Sequence, residues 1–285
     1  MEALGATDTS DTVFAASCYC PITPITDLDH AGMAYEWEFL GVNEYRRAHM
    51  RRDEGGRPAF SAEDGSLTEG QIRVSREEAT LFPAYLNSLG LRDAGGAPLT
   101  LDERGEGPFK KYVEGRVLAT AQCALGGGAD LAAVAWLTVE SSIAAMDFSA
   151  YVRGITRMKT PPAFDDLGLK SPENNLFGTD GIEACHFTPY RRSHSLAGGT
   201  MADPRTVRML NPPYYLEDAQ AVKAPHWRIR HGKRDRDTSL AVSSILTLKL
   251  QNLGCSVDYH VPWDTPTPGT TAWMSCFAWI DAICM

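Results

Sequence analysis

The feature that most constrains the fold is a strand–helix–strand pattern between residues 227 and 261. Trp227-Arg228-Ile229-Arg230 alternates apolar and charged side chains, which is typical of a strand. Thr238 or Ser239 can cap the helix that follows. The apolar residues of that helix fall on one face: Val242, Ile245, Leu246, Leu250 and Leu253. A second alternating segment, Val257 to Val261, completes a predicted right-handed βαβ unit with parallel strands.

A third strand is predicted near the N-terminus. Val13 to Cys20 (VFAASCYC) form a short apolar run that ends at Pro21, which is typical of a buried strand in a parallel sheet. A helix is expected around Phe277 to Ile283. The predicted fold class is therefore α/β, with about three parallel strands, flanking helices and one side of the sheet open for further strands.

The middle of the chain predicts a large, mostly helical insertion. Residues 34–45 are aromatic-rich and favour a helix, whereas residues 46–110 favour short surface helices and loops because apolar clusters are few. Residues 116–158 predict a long helical region that is broken at Gly126-Gly127-Gly128. Residues 159–177 are rich in proline and favour a loop.

Composition excludes several classes of protein. The formal charge of −9 argues against a general nucleic-acid binder, and no stretch approaches the roughly 20 apolar residues of a membrane span. The N-terminal MEALGATDTSD lacks the basic leader of a secretory signal, which predicts a cytoplasmic protein as encoded. Cys18-x-Cys20 has no second pair or nearby His to complete a zinc site, so neither a metal nor a cofactor is expected.

Chemistry in an open parallel sheet gathers just past the carboxyl ends of the strands. Asp235 and Asp237 follow the first strand of the βαβ unit, and Asp264 to Gly269 follow the second. An Asp in the first loop could orient a catalytic His in the second loop. The plainer interpretation is a solvated charged loop before a helix cap, because such loops are common and usually carry no chemistry.

Four segments carry a resemblance to a known family. His226 to Asp264, with the motif RHGKRDRDTSLA, resembles the C-terminal segment of bacterial tannases and related feruloyl-esterase-like α/β-hydrolases. Three further segments resemble the same family: Asp11 to Phe39 just after its nucleophile, Met158 to Gly178 in its lid, and RMLNPPYYL near the return of the lid. The resemblance implies an incomplete α/β-hydrolase core in residues 1–45 and 221–285 and a lid insertion in residues 46–220.

The resemblance also implies roles for individual residues. Members of the family hydrolyse esters of gallic and related phenolic acids with a Ser-His-Asp triad. Asp235 matches the triad Asp, and Asp237 matches a residue that binds a galloyl hydroxyl. Lys159 and Glu173 match the other two phenol-binding residues. A lysine and two carboxylates can clamp three adjacent hydroxyls by charge-assisted hydrogen bonds, so the implied partner is a small phenolic ester or acid.

Two catalytic positions of the family are different in this sequence. No Gly-x-Ser-x-Gly motif, the usual setting of the nucleophile, occurs in the 285 residues. Thr267 stands at the position of the catalytic His, and its hydroxyl does not titrate near neutral pH. His260 lies inside a predicted strand and His231 belongs to the family pattern, so structural roles are favoured for both.

Three functional hypotheses follow from these observations. The first is a carboxylic-ester hydrolase by descent that is truncated and impaired as an isolated chain. The second is a non-catalytic remnant that binds phenolic acids. The third is one half of a split hydrolase, in which a complementing N-terminal chain is the partner. Whether this chain is itself an enzyme stays open at this point, as does secretion of a full-length parent.

Overall fold

The computed structural model describes residue 10 and residues 12–23, 34–52, 57–263 and 273–285. The strands within these ranges are β1 Ala15–Tyr19, β2 Glu44–Arg52, β3 Pro58–Ser66, β4 Leu137–Val139, β5 Ile143–Met146, β6 His226–Arg230 and β7 Ser256–His260. The helices are α1 Tyr35–Phe39, α2 Glu69–Ser88, α3 Pro108–Gly126, α4 Phe148–Ile155, α5 Pro172–Leu176, α6 Pro189–Ser193, α7 Pro204–Met209, α8 Pro213–Leu216, α9 Leu240–Asn252 and α10 Trp273–Cys284.

The parallel sheet has the strand order β1-β6-β7. Ile229 of β6 pairs with Cys18 of β1 and Tyr259 of β7, and its side chain is fully buried. Helix α9 crosses between β6 and β7 and is capped by Ser239, whose hydroxyl accepts a hydrogen bond from the backbone N–H of Ala241. The predicted βαβ unit and the prediction of about three parallel strands are therefore confirmed for this part of the chain.

Strand β1 differs from the prediction of a buried strand. It lies at the edge of the described sheet and is hydrogen-bonded to β6 alone. Val13 and Phe14, just before it, are 54% and 50% exposed, and Tyr19 at its end is 37% exposed. The expectation of full burial was wrong because an apolar run reports strand propensity, whereas burial depends on what packs against both faces and both edges.

The segment from 34 to 110 is more ordered than the sequence suggested. Helix α1 ends at Phe39, and a long antiparallel hairpin, β2–β3, follows it. Helix α2 has 20 residues and is preceded by its N-cap Thr68, which forms a capping box with Gln71. The prediction of short surface helices and loops was wrong here, because Phe82 and Leu86 of α2 are fully buried against α1 and α3.

The region from 116 to 158 is helical at its two ends and not between them. Helix α3 starts earlier than expected, at Pro108, and ends at Gly126, which confirms the predicted break. The hairpin β4–β5 replaces the expected helical continuation, and α4 follows it. The apolar residues of this segment therefore form a short hairpin, whose strand β5 packs against α3.

Helix α9 contributes residues to two hydrophobic clusters, and this packing fixes the loop before its first turn. Its residues Leu240, Ala241, Ile245 and Leu248 join the core formed with α1, α2, α3 and α4. Val242 joins a second cluster with Phe164, Phe177 and Phe187.

The boundaries 1–45, 46–220 and 221–285, with the middle part as a lid, stay a prediction. Among the described helices, none is both long enough and apolar enough to cross a membrane.

Candidate active site

The loop between β6 and α9 holds Asp235 at the carboxyl end of the central strand. The carboxylate oxygen Oδ1 of Asp235 accepts hydrogen bonds from the backbone N–H groups of Asp237 at 2.8 Å and Thr238 at 3.2 Å. The backbone N–H of Asp235 donates to the carbonyl of Gly232 at 3.0 Å. The side chain is buried, so the loop fixes this carboxylate where the sheet topology predicts chemistry.

Lys159 reaches the same loop from a distant part of the sequence. The backbone N–H of Met158, its neighbour, donates to the carbonyl of Arg236 at 2.8 Å. The ammonium Nζ of Lys159 lies 3.5 Å from Oε1 of Glu173 and 3.6 Å from the centre of the Phe164 ring. The ion pair and the ring together hold the lysine head group in a half-buried position beside the loop.

Glu173 is placed by the first turn of α5. Pro172 opens this helix, and the hydroxyl of Ser171 caps it by accepting from the backbone N–H of Asn174 at 3.0 Å. The oxygen Oε2 of Glu173 is buried and accepts no hydrogen bond from any described residue. A buried carboxylate oxygen of this kind is available to a hydroxyl donor from a ligand.

Asp237 belongs to the same group of charges. Burial raises the pKa of its carboxyl, the nearby ammonium of Lys159 opposes this shift, and the carboxylates of Asp235 and Glu173 reinforce it. We call Lys159, Glu173, Asp235 and Asp237 the Asp235 cluster. The structure thus brings four of the predicted site residues together, and the role of each stays a prediction.

The histidines lie away from this arrangement or are buried in the core. The ring of His231 is buried, with Nδ1 3.0 Å from Oγ of Ser243, and burial lowers its pKa although Asp235 lies near. His260 ends β7 with an exposed side chain. Thr267, which the resemblance aligns with the family His, lies outside the described residues. Within the described ranges, no group of three or more His, Cys, Asp and Glu side chains is placed to hold a metal ion.

A buried polar network, which sequence reasoning missed, supports Glu173. We call it the Asp165 network, after the carboxylate at its centre. That carboxylate is contacted by five groups: Nδ1 of His186 at 2.7 Å, Nδ2 of Asn174 and Oγ1 of Thr188 at 2.8 Å, and the backbone N–H groups of Phe187 and Thr188 at 2.9 Å. Asn174 directly follows Glu173 and is fully buried, so the network fixes the turn that carries Glu173.

A second buried group supports Lys159. The guanidinium nitrogen Nε of Arg157 donates to the carbonyl of Lys159 at 2.9 Å. Arg157 lies 3.9 Å from the carboxylate of Glu38, and Glu78 contacts Arg191 in the same region. Burial and the neighbouring Glu78 raise the pKa of Glu38. The hydrogen bond from Arg157 fixes the carbonyl of Lys159, and removal of either member of the buried Arg157–Glu38 pair would leave an uncompensated charge.

The chain closely matches solved structures over its whole length. Tannase from Lactobacillus plantarum is 41% identical with a TM-score of 0.92, and tannase from Fusobacterium nucleatum is 38% identical with a TM-score of 0.88. Both comparisons cover 100% of this chain, and they cover 60% and 62% of those chains. The chain is a partial tannase-like protein. It matches no family model and no curated protein.

Ligand complexes are known among the matching structures. A tannin acyl hydrolase in complex with ethyl gallate is 40% identical to this tannase-like chain, with a TM-score of 0.87, over 100% of this chain and 59% of that one. Another was solved with 3,4-dihydroxybenzoate. The resemblance to tannases drawn from the motifs is therefore confirmed, and the chain spans about 60% of the length of the tannases it matches.

Proposed function

We propose that this tannase-like chain carries the phenol-binding side and the triad acid of a carboxylic-ester hydrolase of the tannase type. The proposal rests on one observation, the convergence of Lys159, Glu173 and Asp237 beside Asp235. Taken alone, the chain binds a phenolic acid or ester and hydrolyses it at most very slowly. A non-catalytic phenolic-acid-binding protein is the alternative that the same cluster supports.

The binding chemistry follows from the three charged groups. The ammonium of Lys159 donates a hydrogen bond, while Oε2 of Glu173 and the carboxylate of Asp237 accept. Three adjacent hydroxyls of a galloyl ring can meet these groups at once, and each charge-assisted bond contributes about 1.5–3 kcal/mol. A ring that carries a methoxy group in place of one hydroxyl leaves a buried carboxylate without a donor. Gallate-type acids are therefore favoured over ferulate-type acids.

The reaction requires two groups besides Asp235. In a Ser-His-Asp mechanism the Asp orients the imidazole, which takes the proton of the serine as that serine attacks the ester carbonyl. The sequence contains no Gly-x-Ser-x-Gly motif, and Thr267 replaces the family His. Loss of the nucleophile or the base removes on the order of 10⁶-fold of the rate in a serine hydrolase. The isolated chain is accordingly expected to be catalytically impaired.

The exposed edge of the parallel sheet supports the proposal that a complementing chain is the partner. Strand β1 is an edge of the described sheet, and Val13 and Phe14 beside it are exposed. Phe277 and Ile280 on α10 are also exposed. An unpaired strand edge with apolar residues around it is a template for another strand. A second polypeptide that supplies further strands and the serine fits this surface, as in a split hydrolase.

Calorimetry with gallate tests the binding side. We expect the 285-residue chain to bind gallate, and Lys159→Met, Glu173→Gln and Asp237→Asn each to weaken binding by about tenfold or more, since each loses one charge-assisted bond. Lys170→Met and Glu183→Gln, at exposed positions of the same region, are matched controls that should bind like the parent. Equal binding by the site variants and their controls would reject the proposal.

A complementation assay tests the catalytic side. Methyl gallate hydrolysis is measured for the chain alone, for Thr267→His, and for each mixed with the part of the Lactobacillus plantarum tannase that has no counterpart in this chain. We expect turnover only when the added part and Thr267→His are combined, because both missing groups are then present. Clear turnover by the chain alone that is lost in Asp235→Ala would show that the proposed impairment is wrong.

A further inference from the structure

A large cavity lies against the loop that carries Asp235, but Asp235 and Asp237 do not line it. Its volume is about 770 Å³, which is within the range of small-molecule sites. The lining includes the cationic side chains of Arg46, Lys233, Arg234 and Arg236 and the aromatic rings of Trp136 and Tyr151. No acidic side chain belongs to the described lining, although the whole chain has a formal charge of −9.

The four cations around this cavity differ in their partners. Arg46 forms an exposed ion pair with Asp64 at 3.3 Å, which contributes little in water. Lys233 lies with Nζ 3.2 Å from the centre of the Trp263 ring. Arg234 and Arg236 donate no side-chain hydrogen bond to any residue in the described part of the chain, and Arg236 interacts electrostatically with Asp237. Like charges at this density favour an anion between them.

The backbone at the edge of the cavity is strained. Thr156, which lines the cavity, has φ 61° and ψ 154°, a region that is almost restricted to glycine. The hydroxyl of Thr156 donates to the carbonyl of Arg153. The carbonyl of Arg157, the residue after Thr156, accepts a hydrogen bond from the backbone N–H of Arg46. Strain that the surroundings maintain in this way clusters at ligand sites.

We propose that this cavity binds an organic oxyanion, namely a carboxylate or phosphate group attached to an apolar ring. The guanidinium groups of Arg234 and Arg236 suit the planar, bidentate recognition of such oxyanions. Trp136 and Tyr151 provide a wall on which the ring packs. This site is separate from the Asp235 cluster, which is built to bind hydroxyl groups, and it does not depend on ester hydrolysis.

Calorimetry on the 285-residue chain tests the site with four probes: benzoate, phenyl phosphate, benzyl alcohol and inorganic phosphate. We expect binding of benzoate or phenyl phosphate, and the tighter of these two identifies the oxyanion. The double variant Arg234→Ala/Arg236→Ala should weaken that binding by about tenfold or more, since two charged donors are lost. Arg205→Ala, an exposed arginine elsewhere, is the matched control and should leave binding unchanged.

Two further variants separate this site from misfolding and from the Asp235 cluster. Asp64→Asn frees Arg46 and should tighten binding, a gain that a folding defect cannot produce. Lys159→Met should leave it unchanged. The proposal is overturned if no probe binds, or if benzyl alcohol or inorganic phosphate binds as tightly as the ring anions. It is also overturned if the double variant binds like the parent, or if Lys159→Met abolishes binding.

Discussion

The two sides of the Asp235 cluster are held in place in different ways. Asp235 is fixed by backbone N–H groups two and three residues away, at the end of a strand. Glu173 is fixed through the Asp165 network, whose hydrogen bonds join residues up to 23 positions apart. The first arrangement comes with the βαβ unit, whereas the second forms only when distant segments have already folded. The side that carries Lys159 and Glu173 should therefore be lost more easily than the loop that carries Asp235 and Asp237.

The largest effect is expected from the centre of the Asp165 network. Asp165→Ala leaves several buried donors without an acceptor, each at a cost of about 1–3 kcal/mol, so we expect a loss of at least about 3 kcal/mol in the free energy of unfolding. Hydrogen exchange should show the loss in residues 159–188, while β6, α9 and β7 stay protected.

Asp180→Asn is the control for this prediction, because Asp180 is exposed and its side chain makes no such contact with any described residue. Gallate binding should fall in Asp165→Ala together with the local protection around Glu173. If exchange rises equally in residues 159–188 and in the βαβ unit, the two sides of the cluster do not differ in how they are held.

A smaller effect concerns Glu36, on the side of Asp235. Glu36 and Asp235 line the same small cavity at the start of α9. Burial raises the pKa of Glu36 from 4.5 to about 7, and neither of its carboxylate oxygens accepts a hydrogen bond from any described residue. The folded state therefore keeps a proton that the unfolded chain loses, and stability falls as pH rises from about 4.5 to about 7.

The expected fall is about 3 kcal/mol, because a tenfold difference in proton affinity between the folded and unfolded chain corresponds to about 1.4 kcal/mol. Chemical denaturation of the parent and of Glu36→Gln across this pH range measures it. The difference in stability between the two proteins should change with pH in this window, because the amide does not titrate. A constant difference from about pH 4.5 to about pH 7 would contradict the assignment. Glu140→Gln, at an exposed position between β4 and β5, is a suitable control.

The smallest effect is expected at the cap of α9. Ser239→Ala removes the hydroxyl that accepts from the N–H of Ala241 and should lower the free energy of unfolding by about 1 kcal/mol. Thermal unfolding measures this change, and Ser256→Ala, an exposed position in β7, should have little effect. A loss at Ser239 as large as that at Asp165 would remove the distinction between local and long-range support.

The sequence was most informative where local rules and topology agree. Alternation in β6 and β7, the cap at Ser239 and the apolar residues of α9 predicted the βαβ unit, and topology then placed Asp235 at its end. The positions of Lys159 and Glu173 came from the resemblance alone, because a lysine and a glutamate in a loop have no pattern of their own. The Ser171-Pro172 pair could have indicated the start of α5.

The rest was hidden for identifiable physical reasons. Strands β2 and β3 carry charged residues along both faces, so they lack the alternation that marks a strand, and their long mutual pairing stabilises them instead. Helix α2 contains Pro83 and many polar residues, which obscured a 20-residue helix; the three-residue spacing of Thr68 and Gln71 could have indicated its start. The Asp165 network joins side chains that no local pattern connects.

The loop from Lys233 to Asp237 sets a limit on how this protein can vary. Lys233, Arg234 and Arg236 line the cationic cavity, whereas Asp235 and Asp237 belong to the Asp235 cluster. Bases and acids alternate from Arg234 to Asp237, so the register of a single short segment serves two neighbouring environments of opposite charge. Insertion or deletion in this loop would displace both sets of charges and damage both environments at once.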